Sequence, residues 1–296
     1  GAIPFYKACK KQGIKPIIGL LADVLHGEET FPILLLAQNN KGYSNLLKIS
    51  SSIQTKTKEG IPLKWLKGYS EGLIGISPGE EGIVEQRALH GEMGEAMEAI
   101  RIFQMIFSPA NFYLSVQNNG AVERGIVEEL AKEANVPVVA TNAVCYLRPE
   151  DAVAYEVLKA VDQGTKIHHD LKSENVNHER YLKSGAEMAM LFQDDSAALQ
   201  NTVNVASRCD VEIAMHQNLL PKYPSEMPAD RLLEQVCLEG FKERYGDGNE
   251  SYMNRLRYEL SVIKKMNFSD YFLIVWDFMK FARKERIMTG PGRGSA

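Results

Sequence analysis

The sequence predicts an α/β fold, and three observations carry that expectation. Short, continuous apolar runs recur through the first two thirds of the chain, as strands buried on both faces require. Segments with apolar residues at helical spacing separate those runs, which points to parallel strands in a barrel or an open sheet. A proline-rich stretch, Leu219 to Pro228, then divides this region from one that reads as helical throughout.

Taken in order, Ile3 to Gln12 has Ile3, Tyr6, Ala8 and Cys9 on an apolar face and Gly13 where a C-terminal cap belongs. Lys15 to Leu25 is strand-like, His26 to Thr30 is a polar turn, and Pro32 to Gln38 is a second buried strand. Tyr43, Leu46, Leu47, Ser50 and Ile53 give a helix, and Pro62 to Leu66 a short one. Gly72 to Ser77 is the next strand, stopped by Pro78-Gly79. Met93 to Phe107 and Ala121 to Ala134 read as helices around a strand at Phe112 to Gln117. A strand at Pro137 to Asn142 and a helix at Pro149 to Val161 follow. The pattern decays between Gly164 and His178, and short helices resume at Gly185–Phe192 and Asp195–Arg208. After the proline-rich segment come helices at Ala229–Tyr245 and at Tyr252–Met266, the latter with Met253, Leu256, Leu260 and Ile263 on one face. A last helix, Ser269–Arg286, is capped by Ser269 or Asp270 and carries aromatics around most of its circumference. Such a helix is expected in a domain core, as a pillar for the turn beyond it.

The 296 residues are 45% hydrophobic and 24% charged, the composition of an ordinary globular protein. No apolar run is long enough to span a bilayer. Gly1 is not an initiator methionine, so natural residues are expected to precede it. Cys9, Cys145, Cys209 and Cys237 form no C-x-x-C pair, which argues against a disulfide framework or a zinc ribbon and for a reducing, cytoplasmic setting. The net charge of −4 is unevenly spread. Tyr252 to Ala296 holds nine Lys/Arg against four Asp/Glu, leaving −9 on the remainder. A basic end behind an acidic body suits a contact with nucleic acid or nucleotide, although on charge alone a solvated basic helix face is the favoured reading.

In parallel α/β folds chemistry gathers at the carboxyl ends of strands, here after Ile18, Ser77, Val116 and Ala140. Leucines, amides and a thiol (Cys145) occupy those places, where a hard-metal site needs converging carboxylates and imidazoles. His168 and His169 are adjacent in a polar loop, and His26, His90, His178 and His216 are isolated, so no catalytic centre is expected in this region. The other candidate is Gly290-Pro-Gly-Arg-Gly-Ser295, preceded by a β-prone Ile287-Met-Thr289. Its glycines allow backbone N–H groups to approach phosphate oxygens, Arg293 offers a fork matched to phosphate, and Ser295 can cap a following helix or bond an oxygen. It is neither a P-loop nor a dinucleotide fingerprint. A plain tight turn before a helix is the simpler reading of the motif taken alone.

The combination of Phe268-Ser-Asp-Tyr-Phe-Leu-Ile-Val-Trp-Asp-Phe278 with Gly290-Pro-Gly-Arg-Gly-Ser-Ala296 resembles the palm entry of the bacterial C-family replicative DNA polymerases. These are the DNA polymerase III α subunits, and the likeness is to the Gram-positive type. Gly1-Ala-Ile-Pro-Phe-Tyr-Lys-Ala-Cys-Lys10, Ile14 to Gly19, Leu34 to Tyr43, Val138 to Asn142 and Tyr146 to Asp151 resemble that family's polymerase-and-histidinol-phosphatase (PHP) domain. The resemblance implies a PHP-type β/α barrel, incomplete at its N-terminus, over residues 1–210. A linker at 211–228 and a mainly helical start of the palm over 229–296 complete the division.

The same resemblance implies template-directed nucleotidyl transfer from dNTPs to a primer 3′ end in the full-length protein. Mg²⁺ would serve that reaction, and primer–template DNA and replisome proteins such as the sliding clamp would be partners, with no membrane involved. Gly292, Arg293, Gly294 and Ser295 would lie against the nucleotide phosphates and the primer end. The paired carboxylates that in-line transfer requires would lie beyond Ala296. This stretch would therefore hold no catalytic residue and would not polymerise DNA alone. Metal-bearing members carry Glu where this chain has Leu21, His where it has Asn119, and Asp-x-His where it has Ala143-Val-Cys145, and further ligands of theirs precede Gly1. A metal-free scaffold without exonuclease activity is the resulting expectation. The alternatives are a metal-dependent PHP phosphoesterase or 3′–5′ exonuclease, and a non-catalytic interaction module.

Overall fold

The computed structural model describes residues 1–118, 123–166, 176–215, 219–246 and 249–290. The chain divides into two compact units, Gly1–Ile213 and Ala214–Ala296.

The first unit is a mixed α/β structure on a six-stranded sheet in the order β3-β1-β2-β4-β5-β6. A helix α1 (Ala2–Lys11) leads to β1 (Gly19–His26) and β2 (Glu29–Ala37). Next come α2 (Asn40–Ser52), β3 (Ile61–Pro62), α3 (Leu63–Gly68) and β4 (Leu73–Ile76). Helices α4 (Ile83–Leu89) and α5 (Met93–Phe107) precede β5 (Phe112–Val116), and α6 (Arg124–Ala134) precedes β6 (Val138–Ala140). The unit continues through α7 (Ala152–Gln163), α8 (Gly185–Leu191) and α9 (Ser196–Arg208).

Two expectations need correcting. The sheet is not wholly parallel: β2 pairs antiparallel with both β1 and β4, while β1–β3, β4–β5 and β5–β6 are parallel, so β2 alone runs backwards. The cause is local. Only Gly27 and Glu28 separate β1 from β2, too few residues for a crossover, and Gly27 takes φ +65° to close the hairpin. Nor are all strands buried on both faces. Every residue of β4 and β5 is buried, whereas β1 buries Ala22 and Val24 and leaves Leu21 55% exposed. Apolar runs alone did not separate these two cases.

The register explains where the sheet ends. Leu21 lies opposite Leu34, and Leu34 opposite Ile76, the last residue of β4. The hairpin from Ala22 to Ile33 therefore continues past that edge. On one face Phe103 and Phe107 of α5 pack on Phe112, with ring centroids 5.3 and 6.3 Å apart. Gly75 permits this, since a Cβ there would lie 2.7 Å from the Phe107 ring. On the other face Val205 of α9, with Cys209 just past it, joins Ile74, Ile76, Tyr113 and Val139 in one buried cluster, and Asn201 Nδ2 donates to Val138 O at 2.8 Å. Each such buried side chain contributes roughly 1.5–3 kcal/mol.

The second unit holds α10 (Ala229–Tyr245), α11 (Glu250–Lys265) and α12 (Ser269–Lys284). In α11 Met253, Leu256, Leu260 and Ile263 are the half-buried positions, as their spacing predicts. The α12 expectation fails. Leu273 and Ala282 are buried with Ser269, but Tyr271, Phe272, Phe278 and Phe281 stand exposed, so among the described residues this helix is a flank and not a buried pillar. Its start is also not capped as expected. Ser269 Oγ donates to Asp230 at 2.6 Å and Asp270 accepts from the Tyr223 N–H at 2.8 Å, so both side chains tie α12 to other segments. The β-prone Ile287-Met-Thr289 forms no strand. No described helix is long and apolar enough to cross a membrane.

Candidate functional site

The segments leaving β4, β5 and β6 enclose a cavity of about 430 Å³. Its walls are stitched by main-chain and amide hydrogen bonds. Thr141 N–H donates to Val116 O at 2.9 Å, continuing the β5–β6 ladder, and Gln117 Nε2 donates to Pro78 O and to Thr141 Oγ1, each at 3.3 Å. Asn142 Nδ2 donates to Tyr181 O at 2.9 Å and to Glu179 O at 3.2 Å. The Cys145 N–H donates to Arg180 O at 2.8 Å, and a bridge joins Tyr146 to Tyr181. Residues 142–146 and 179–182 are thereby zipped together, which brings the Arg180 side chain to the cavity beside Cys145 and Tyr155.

Behind the floor lies a buried carboxyl. Glu85, on α4, accepts a hydrogen bond from the Ser77 hydroxyl, whose oxygen in turn accepts the Ser115 N–H at 3.1 Å. Glu85 Oε2 and Ser115 Oγ are buried and have no hydrogen-bond partner. Burial pushes the Glu85 carboxyl up to about 7, although the Ser77 hydroxyl and nearby backbone N–H groups favour its charged form. The cavity's own groups are also shifted. The hydrogen bond to Cys145, and then burial, push the Tyr155 phenol up. Burial opposes the charge on Arg180, yet its hydrogen bond with Cys145 leaves the guanidinium above its ordinary value.

The structure brings three of the sequence-predicted positions together. Leu21, Ala143 and Cys145 all line this cavity. Asn119 lies outside the described residues, as do His168, His169, His216 and the Gly292, Arg293, Gly294 and Ser295 motif. His26, His90 and His178 do not line it; His90 and His178 sit with their Nδ1 atoms 2.7 and 2.8 Å from Gln86 O and Pro149 O. The residues present do not fit a divalent-metal cluster. The cavity offers a thiol, hydroxyls, neutral amides and two carboxylates, Glu80 and Glu81, and it also holds a guanidinium that repels cations. Among the described residues no group of three or more His, Cys, Asp and Glu converges.

Sequence reasoning missed Glu85, Ser115, Tyr155 and Arg180. For Glu85 a signal existed: it stands between Val84 and Gln86 in Ile83-Val-Glu-Gln-Arg-Ala-Leu89, on the face that the apolar residues bury. Nothing local marked Arg180.

Comparison with known proteins gives the class first. Residues 1–119 match the PHP domain, and residues 231–296 match the bacterial DNA polymerase III alpha NTPase domain. The residues that match the PHP domain thus lie within the α/β unit. The whole chain, further, resembles DNA polymerase III alpha subunits. It is 46% identical to that of Bacillus subtilis (strain 168), a Gram-positive relative, over 100% of this chain and 27% of the relative. It is 38% identical to that of Halalkalibacterium halodurans, again over 100% and 27%. It is 35% identical to that of Pseudomonas aeruginosa over 99% and 27%. The chain therefore spans about 27% of the length of the curated relatives it matches.

Proposed function

We propose that this chain is part of a DNA-directed DNA polymerase that transfers nucleotides from dNTPs to a primer 3′ end on template DNA during bacterial replication. The observation that carries the reading is similarity over the entire chain to DNA polymerase III alpha subunits, across both units. Residues 1–210 form the PHP domain, 211–228 the linker and 229–296 the start of the palm. The chemistry belongs to carboxylates further along the full-length protein, which hold Mg²⁺, while Gly292, Arg293, Gly294 and Ser295 contact the incoming nucleotide. Sliding clamp and other replisome proteins are the partners, and the protein works in the cytoplasm.

Within this reading the PHP domain is a metal-free scaffold. Leu21, Ala143 and Cys145 stand in its strand-end cavity where metal-bearing relatives place ligands, and Arg180 shares that space. Two measurements on the full-length protein test the proposal. Arg293→Ala is expected to raise the KM for dNTPs or lower turnover in primer extension by about tenfold or more, the loss of a charge-assisted phosphate contact. Unchanged kinetics would remove the assignment. Metal analysis of the purified protein is expected to find no tightly held zinc or manganese in the PHP domain. Stoichiometric metal that disappears with Cys145→Ala would overturn the scaffold reading.

A further inference from the structure

A second groove of the first unit shares no residue with the strand-end cavity. Residues 41–69 hold six lysines and one glutamate, a net of +5, inside a body, residues 1–251, whose net charge is −9. Here α2 runs on into a π-helical turn, Ile53–Thr57. The stripe Ser44, Lys48, Ser51, Thr55 and Lys56 lines a groove of about 360 Å³, together with Tyr69 just past α3. Among the described residues no carboxylate lines it, whereas Glu80 and Glu81 line the strand-end cavity. Of the six lysines, only Lys41 meets a carboxylate, Glu71 at 3.5 Å. Lys48, Lys56, Lys58, Lys64 and Lys67 are exposed and form no ion pair among the described residues. Lys48 Nζ stands 5.9 Å from the centre of the Tyr69 ring, and Lys56 Nζ 5.6 Å from that of Trp65, one helical turn earlier. Cation–π contacts of that length at exposed sites are weak, so phosphate oxygens outcompete them.

That combination selects a ligand. Ammonium groups in a row that the protein does not neutralise attract a polyanion, and the serine and threonine hydroxyls add partners for phosphate oxygens. Lys48 and Lys56 are about 12 Å apart along the helix axis, eight residues at about 1.5 Å each, so a chain of charges meets both and a small anion does not. The exposed ring faces suit unpaired bases, which stack on aromatic side chains in a basic groove, a use that neither a duplex nor an acidic peptide makes of them. We infer that the groove beside α2 is a contact site for single-stranded nucleic acid, with phosphates on Lys48 and Lys56 and a base against Tyr69. The inference deepens the polymerase reading, in which that strand is DNA, and adds a contact in the first unit to the one proposed for Gly292, Arg293, Gly294 and Ser295.

Lysine acetylation of the full-length protein, read residue by residue by mass spectrometry, supplies the test. Oligothymidylate at about ten times the Kd read from the same titration is expected to slow acetylation of Lys48 and Lys56 about tenfold. Exposed Lys7 and Lys132 are expected to react as before. Polyglutamate and a blunt duplex are expected to protect far less. Lys48→Gln is expected to weaken the Kd read at Lys56 and to make its log–log dependence on salt shallower by about 0.7, the loss of one phosphate contact. Tyr69→Leu is expected to weaken the same Kd about tenfold, with Tyr69→Phe retaining it. Buried Cys9 and Cys209 report on folding, because they stay unlabelled by iodoacetamide in an intact domain. Should Tyr69→Leu expose them, the exposed substitution Lys48→Gln decides alone. The proposal is overturned if Lys48 and Lys56 are unprotected, if Lys7 and Lys132 are protected equally, or if polyglutamate or duplex protects as well as the single strand. An unaltered salt dependence in Lys48→Gln also overturns it, as does an unaltered Kd in folded Tyr69→Leu. Primer extension by the same preparation separates the two readings: extension without protection defeats only this site, and neither defeats both.

Discussion

The two units put their aromatic and aliphatic side chains to opposite uses. In the α/β unit Leu73, Ile74, Phe112 and Leu114 are fully enclosed, because helices cover the central strands on both faces. In the helical unit Tyr271, Phe272, Phe278 and Phe281 of one helix face solvent, with Phe281 59% exposed. A helix apolar around most of its circumference needs neighbours on every side, and among the described residues α12, whose main neighbour is α10, buries only Ser269, Leu273 and Ala282. Apolar sequence is therefore a measure of stability in the first unit, and of surface in the second.

The largest effect expected from this contrast is at the centre of the sheet. Leu114→Ala should cost about 2–5 kcal/mol in denaturant unfolding, since β5 is closed on both faces and cannot collapse around the gap. A cost below about 1 kcal/mol would mean that the core is far looser than its burial implies.

Next in size is the buried carboxyl of that same core. The Glu85 group ionises near 4.5 when unfolded and near 7 when folded. Between those values the folded protein holds a proton that the unfolded chain has released, so stability is fully present below 4.5 and declines as pH rises towards 7. The span corresponds to about 3 kcal/mol. Glu85→Gln, which keeps the shape and cannot ionise, should flatten that slope; an identical pH profile in the variant would place the titration elsewhere.

The smallest effect is expected on α12. Phe281→Ala in this chain should change stability by no more than about 0.5 kcal/mol, as for other exposed positions. The same substitution in the full-length protein sharpens the comparison: a cost above about 2 kcal/mol there would show that further structure covers the aromatic face.

Much of this was legible in the sequence because it is short-range. Met93–Phe107 and Ala229–Tyr245 have the helix bounds their periodicity predicts, and Asn135, at φ +53°, ends α6 where its position suggested. The hairpin was legible as well, in the two residues between β1 and β2, but continuous apolar runs masked it. The exposed face of α12 was misread for the same reason, since hydrophobicity states what a side chain prefers and not what the fold provides.

The chain's own residues determined most of the elements and the family resemblance, which rest on neighbours within a few turns. They also determined that Leu21, Ala143 and Cys145 carry no hard-metal donors. Only the tertiary structure decided that those three share a cavity with Arg180 and Ser115, and that Glu85 is sealed behind it. The physical reason is that convergence and desolvation are made by contacts between segments far apart in sequence. A charge acquires its surroundings only when the sheet brings those segments together.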